Sequence, residues 1–300
     1  PSGTPLAARH HASLSTMITE LSGAPDRTTA IRMHFAGNTF DLPIGSNSAA
    51  AFAGLRVLFT MNRDNDPAWI WDWAGWHARL HGVDGIVLFD NGSTQYDVKE
   101  LEQLLLRIPG VGVACVPSWP GRFGMTDEAL AIDPFWSHFL QISSMSVALR
   151  RFGASAFGLL NCDIDELAAT RCGKPIFDYL EAARRGLVVF RGQWVEADRQ
   201  GGSHRDYVMR KRDHRAARSS PKKWLLDPKR DWVADLRVHP YWHWVRRRPL
   251  FGKTMPPDAF YRHFKGISTN WKEDRTTVTD TSLLERDDAL AADFARMEGS

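Results

Sequence analysis

Between Arg56 and Cys162, short continuous apolar runs alternate with longer segments whose apolar residues recur every three or four positions. The first kind reads as buried strands and the second as amphipathic helices. Arg56–Met61 (RVLFTM) predicts a strand, and Ala68–His81 a helix with Trp69, Trp73, Trp76 and Leu80 on one face. Gly85–Phe89 (GIVLF) predicts a second strand, Val98–Arg107 a helix carrying Leu101, Leu104 and Leu105, and Val111–Val116 a third strand. A long helix over Pro134–Phe152 and a fourth strand over Phe157–Cys162 complete the series. Strands alternating with helices imply an α/β fold, a mixed but mostly parallel sheet with crossover helices on its faces. Ahead of it, Ala30–Asp41 alternates with Ile31, Met33 and Phe35 on one face, which predicts a hairpin turning at Gly37-Asn38. Behind it, Thr276–Ser300 places Leu283, Leu284, Leu290 and Phe294 among charges, as in one amphipathic helix packed back on the domain. The expected organisation is an extension over 1–50, an α/β domain over 51–275 and a C-terminal helix over 276–300.

Three predicted strands end in polar clusters. These are Asn62-Arg63-Asp64-Asn65-Asp66 after the first, Asp90-Asn91-Gly92-Ser93 after the second and Asp163-Ile164-Asp165-Glu166 after the fourth. Each has a plain explanation: a helix N-cap before Pro67, a turn, and a solvated strand end. Their repetition at one edge of a parallel sheet favours a binding site, because ligands of open α/β sheets lie beyond the carboxyl ends of the strands. Side chains alternate along an extended chain, so Asp163 and Asp165 are expected on one side, as a pair of oxygen ligands for Mg²⁺ or Mn²⁺.

Composition narrows the function classes. The chain has 300 residues, 43% of them hydrophobic, enough for a large core. A net charge of +3 gives no global bias toward nucleic acid. Three cysteines, Cys115, Cys162 and Cys172, lack zinc-ligand spacing and are expected as reduced thiols in a cytoplasmic protein. No run approaches the ~18 apolar residues that span a bilayer.

The motifs in their order resemble the nucleotide-sugar-binding half of a GT-A glycosyltransferase. RVLFTMNRDN, GIVLFDNGSTQYD and LLNCDIDEL are similar to elements of family 92 and related family-2-like bacterial glycosyltransferases. Lys223-Trp224-Leu225-Leu226-Asp227-Pro228, Val238-His239 and Arg262-His263-Phe264-Lys265 match later elements, so the resemblance spans roughly Arg56 to Lys272. Asp227 stands where a basic residue is usual, and His263-Phe264-Lys265 replaces His-Tyr-Arg.

The resemblance implies a nucleotide-diphosphate sugar donor, a glycan or lipid-linked saccharide acceptor, and bacterial surface polysaccharide assembly, with a peripheral inner-membrane contact left open. It implies Asp165 bound directly to Mn²⁺ or Mg²⁺, Asp163 reaching the ion through water or touching the ribose, and His239 or His263 completing the shell. Asp90 would contact the nucleoside and Thr60, Met61 and Asn62 would line the base pocket. Arg63 and Lys223 would meet the diphosphate. If the reaction inverts, Glu196 or Asp198 is the expected base for the acceptor hydroxyl. Trp194 is open between an acceptor platform and a core residue, and Gly201-Gly202 suggests a hinge.

The segment 204–248 is rich in Arg and Lys, and Arg246-Arg247-Arg248 follows Tyr241-Trp242-His243-Trp244. It supplies the principal alternative, a protein that binds nucleic acid or another polyanion by charge and stacking. A metal-dependent phosphohydrolase is a second alternative, but no further Asp/His cluster of the kind two-metal sites need is visible. The rim motifs favour the transferase, with no nucleic acid expected.

Overall fold

The computed structural model describes residues 5–13, 16–121, 139–213, 220–241, 243–269 and 277–298. Two antiparallel hairpins open the chain. β1 (Ala7–Ser13) pairs with β2 (Thr16–Ser22), and β3 (Ala30–Phe35) pairs with β4 (Asn38–Pro43). The second is the expected hairpin, with Ala36 and Gly37 both at positive φ in its turn.

The α/β part then follows the hydrophobic pattern closely. β5 (Arg56–Asn62) leads to α1 (Pro67–His81), β6 (Gly85–Asp90), α2 (Val98–Leu106) and β7 (Val113–Cys115). Helix α1 starts where Asp66 caps Ala68 N and Pro67 occupies the first turn, and it stops at Gly82 in the left-handed region (φ 67°). The next helix, α3 (Phe139–Val147), continues as one π-helical stretch, Ala148–Phe152, closed by Gly153 N donating to Ala148 O at 2.8 Å. Residues 134–138 of the expected helix lie outside the described residues.

Further elements are β8 (Gly158–Asn161), β9 (Glu166–Thr170), α4 (Tyr179–Ala182), β10 (Leu187–Val195), β11 (Met209–Lys211) and β12 (Ser220–Leu226). After them come β13 (His239–Pro240), β14 (Val245–Arg246), β15 (Ala259–Phe264), β16 (Leu284–Arg286) and α5 (Asp288–Glu298).

Eight strands form one sheet in the order β7-β6-β5-β8-β12-β10-β15-β9. The pairs β7/β6, β6/β5, β5/β8 and β10/β15 are parallel, while β8/β12, β12/β10 and β15/β9 are antiparallel. Every strand except β12 and β9 therefore runs the same way. The mixed α/β architecture agrees with expectation, and the parallel character is concentrated in the half that the sequence pattern covered. All six residues of β6 are buried, since the sheet is covered on both faces. Leu58, Ile86, Leu88 and Leu160 face the layer of α1 and α2, while Val57, Phe59, Val87, Phe89 and Leu159 pack with Met145, Leu149 and Phe152.

The C-terminal tail is not one helix. Leu284 is buried in β16, which pairs with β11, and only Asp288–Glu298 is helical, with Leu290 and Phe294 in the core. The unpaired edge of β11 recruits Leu284–Arg286 into a ladder, and a buried Arg262–Asp287 ion pair fixes the corner before α5. Cys115, Cys162 and Cys172 are free thiols. Among the described residues no helix is long and apolar enough to cross a membrane.

Candidate functional site

Strand direction assembles the site. The carboxyl ends of β5, β6, β8, β10 and β15 and the amino ends of the reversed strands β12 and β9 share one edge of the sheet. Residues far apart in sequence meet there: Thr60, Asn62, Asp90, Asp163, Asp165, Glu166, Glu196, Lys223 and His263.

Strand β8 ends at Asn161, so Asp163 and Asp165 sit on a tight turn rather than on an extended strand end. Glu166 N donates to Asp163 O (2.9 Å), and Asp163 N donates to Glu166 Oε2 (2.8 Å). This turn separates the two aspartates. Asp163 accepts from Thr60 Oγ1 (2.8 Å) and from Lys223 Nζ (2.7 Å), so each of its oxygens has a partner. Asp165 instead accepts from His263 Nε2 (3.1 Å). The expectation that both aspartates face one ion is corrected accordingly: Asp165, Glu166 and His263 offer ligand atoms all within 4.8 Å of one another, and Asp163 is tied to Lys223.

Lys223 is fully buried and bridges Asp163 Oδ2 (2.7 Å) and Glu166 Oε2 (2.8 Å). Burial acts to lower its pKa, but the two carboxylates outweigh burial and raise it well above the usual lysine value. For Asp163, burial acts upward and is overcome by Lys223 and the Thr60 hydroxyl, which hold the carboxyl below the usual range. Glu166 goes the other way. Burial, with Asp163 and Asp165 close by, raises it to about 7 against the pull of Lys223.

The hydrogen bonds around His263 assign its protons. Tyr261 donates its hydroxyl proton to Pro221 O (2.6 Å), so Ser220 Oγ donates to Tyr261 Oη (2.7 Å) and accepts from His263 Nδ1 (2.7 Å). With Nδ1–H committed to Ser220, the contact of Nε2 with Asp165 requires an imidazolium. Burial opposes that charge, while Asp165 and Glu166 raise the pKa above the ordinary value. The ring also stacks on Trp194, at 4.1 Å between centroids and 19° between planes. Trp194 is thus part of the site's wall.

Other expected residues are placed as follows. His239 bonds Ser146 Oγ of α3 through Nδ1 (3.2 Å) and is outside the Asp165 cluster, because β13 is turned toward α3 instead of the sheet edge. Burial, followed by Arg150, Arg246 and Arg247, lowers its pKa to about 4. Asp90 is buried and organises its own turn, with Oδ2 accepting from Gly92 N (3.1 Å) and Ser93 N (2.9 Å) and Oδ1 from Asn62 Nδ2 (2.9 Å). Arg63 is exposed and lines a cleft of about 440 Å³ with Asp64, Trp69 and Gln95. Thr60 and Met61 border a small cavity beside Asp163 and Ser144.

Glu196, expected as a base, is 2% exposed and receives Lys265 Nζ (2.8 and 3.0 Å) and Thr279 Oγ1 (2.9 Å). Asp198 pairs with Arg199 (2.9 Å). The glycines of the expected hinge have positive φ and are pinned: Gly202 O accepts from Trp69 Nε1 (2.8 Å) and Gly201 O from Tyr207 Oη (2.7 Å).

Sequence reasoning missed Glu166 and Ser220 as site residues. Glu166 stands in the quoted motif, and its signal was the third acid in DIDE; Ser220 left no signal, because only the pairing of β12 with β10 brings it to His263.

The donor set of two carboxylates and one imidazole suits a divalent ion of Mn²⁺ type. Once Nε2 gives up its proton it presents a lone pair toward Asp165, while Nδ1–H stays on Ser220, the arrangement that orients ligating histidines; Glu166 Oε1 lies 4.0 Å from Nδ1. No protein-family model matches the chain, and no curated protein matches it in sequence.

Proposed function

We propose that this chain is a metal-dependent glycosyltransferase with a GT-A-type fold. It would move a sugar from a nucleotide-diphosphate donor to a glycan or glycoconjugate acceptor, in bacterial surface polysaccharide assembly. The observation that carries the reading is the cluster of Asp165, Glu166 and His263 at the carboxyl edge of the parallel strands, on the rim shared with Asn62 and Asp90. A divalent ion held there supplies neutralisation of the negative charge that a leaving diphosphate gathers. The chain's own residues do the rest. Lys223 holds Asp163 and Glu166 in place from beneath, Ser220 and Trp194 orient His263, and Arg63, exposed in its cleft, would serve as a phosphate contact. Glu196 and Asp198 are both ion-paired, so the reading rests on charge stabilisation at the donor and assigns no base.

The test is calorimetric titration with UDP, GDP and CMP, each with and without Mn²⁺. Tight binding of one nucleotide only with Mn²⁺ is expected, lost in Asp165→Asn and His263→Asn. Nucleotide binding that ignores Mn²⁺, or that survives Asp165→Asn unchanged, would refute the assignment.

A further inference from the structure

The exposed apolar residues of a folded chain are informative where they stand together among like charges. Leu250 and Phe251 are 94% and 86% exposed, consecutive in sequence, and sit at the end of a loop. That loop is held at both ends. Before it, Val245 and Arg246 form β14 against β13; after it, Thr254 N donates to Leu187 O (2.8 Å) and Val189 N to Thr254 O (2.9 Å). Gly252, at φ 107°, makes the return turn. An anchored loop that presents two large apolar side chains to water is not explained by packing.

The surroundings are cationic. Arg246, Arg247, Arg248 and Lys253 flank the two residues, and no acidic residue occurs from Arg246 to Pro257. On the neighbouring strands Lys222 and Arg191 join them: burial lowers the pKa of Lys222, and Lys253, Arg191 and Arg248 lower it further, as mutually close cations do. Trp244, half exposed and stacked on Tyr241, stands just before the basic run. Insertable apolar residues, a belt of cations and an aromatic at the boundary match the chemistry of an anionic bilayer surface.

We propose that the loop Arg246–Lys253 is a docking tip that seats the protein on an anionic phospholipid membrane, with Leu250 and Phe251 inserted and the surrounding cations on the lipid phosphates. Nucleic acid is the poorer match, because Leu250 offers nothing for base stacking and the two residues protrude instead of lining a groove. The cations of the loop reach Lys222, the residue before Lys223 in β12. Successive residues of β12 face opposite ways, so Lys222 belongs to the cationic surface while Lys223 holds Asp163 and Glu166, and His243 Nδ1 donates to Lys222 O (2.9 Å) between the two. The surface stands whether or not the transferase reading holds.

The test is flotation of the full chain with vesicles of phosphatidylcholine alone or with about 30% phosphatidylglycerol. Binding is expected only to the anionic vesicles, independent of Mn²⁺, and weaker by at least ~10-fold at high salt. The double variant Leu250→Ser/Phe251→Ser is expected to lower partitioning by ~30-fold or more. Arg247→Gln and Lys253→Gln should each lower it by about 5-fold. Unchanged unfolding midpoints show that these variants are folded. Failure to bind anionic vesicles, equal binding to neutral ones, or a double variant that binds like the parent would overturn the proposal. So would capture by single-stranded DNA at salt that abolishes vesicle binding.

Discussion

Lys223 offers the sharpest test of how the site is built. Its ammonium is fully buried between Asp163 Oδ2 at 2.7 Å and Glu166 Oε2 at 2.8 Å. Lys223→Met keeps most of the volume and removes the charge, leaving two carboxylates facing each other. Removal of one partner from a buried ion pair costs about 3–5 kcal/mol, chiefly because the remaining charge is uncompensated. The share belonging to Asp163 is discounted, since its side chain is 41% exposed and water screens it; Glu166, only 2% exposed, carries most of the loss. With a urea slope of roughly 3 kcal/mol per molar, the midpoint should fall by about 1–1.5 M. Tryptophan fluorescence in urea at pH 9 measures this, above the value of about 7 at which Glu166 takes up a proton in the parent, with Trp224 adjacent and buried. Adding Glu166→Gln to Lys223→Met removes the stranded charge and should recover about 1–3 kcal/mol. A single variant that loses less than ~1 kcal/mol, or a double variant that recovers nothing, would refute the account of Lys223 as the counter-charge beneath Asp163 and Glu166.

Other expectations are independent of it. His77 and His81 are buried and neutral in the fold: His77 Nδ1 donates to Trp73 O while Nε2 accepts from Ala168 N, and His81 Nε2 donates to Ala168 O while Nδ1 accepts from Ile176 N. Burial lowers them from 6.5 to about 3 and about 4, so the unfolded chain binds more protons. Their contribution is complete above pH 6.5 and lost as pH falls below it, by about 2 kcal/mol each at pH 5. Between pH 7 and pH 5 the parent should lose about 2 kcal/mol more stability in urea unfolding than His77→Gln, a comparison in which the opposite effects of Glu166 and His263, whose values are raised in the fold, cancel; equal losses in the two proteins would count against neutral burial. Ser220→Ala frees the His263 ring and should weaken Mn²⁺ binding by about 10–100-fold, with Ser220→Thr retaining it, as read by electron paramagnetic resonance of free Mn²⁺. Asp165→Asn should abolish Mn²⁺ binding with little change in stability, whereas Asp163→Asn should lower stability; equal behaviour of the two would contradict their separation by the turn.

What the sequence determined by itself was local. Continuous apolar runs located β5, β6 and β8 and three-to-four-residue hydrophobic repeats located α1 and α2, all to within a few residues, because each pattern reports how a single element is buried. The same local logic found the hairpin β3–β4 and the polar ends of β5, β6 and β8. It misassigned the DIDE segment, where extended alternation would have put Asp163 beside Asp165. The two hydrogen bonds between Asp163 and Glu166 curl the chain there, and curling puts Glu166, in place of Asp163, beside Asp165 and His263.

Only the tertiary structure decided which distant residues serve that cluster. His239 and His263 looked equivalent along the chain; β15 pairs with β9 so that His263 stands opposite Glu166, while β13 forms a separate ribbon against α3. The reversal of β12 between β8 and β10 brings Ser220 and Lys223 to the site edge. Strand order and direction are set by how whole apolar faces cover one another across the sheet, a summed energy that no single stretch of sequence carries. That is why the strands and the acids were legible and the constellation they form was not.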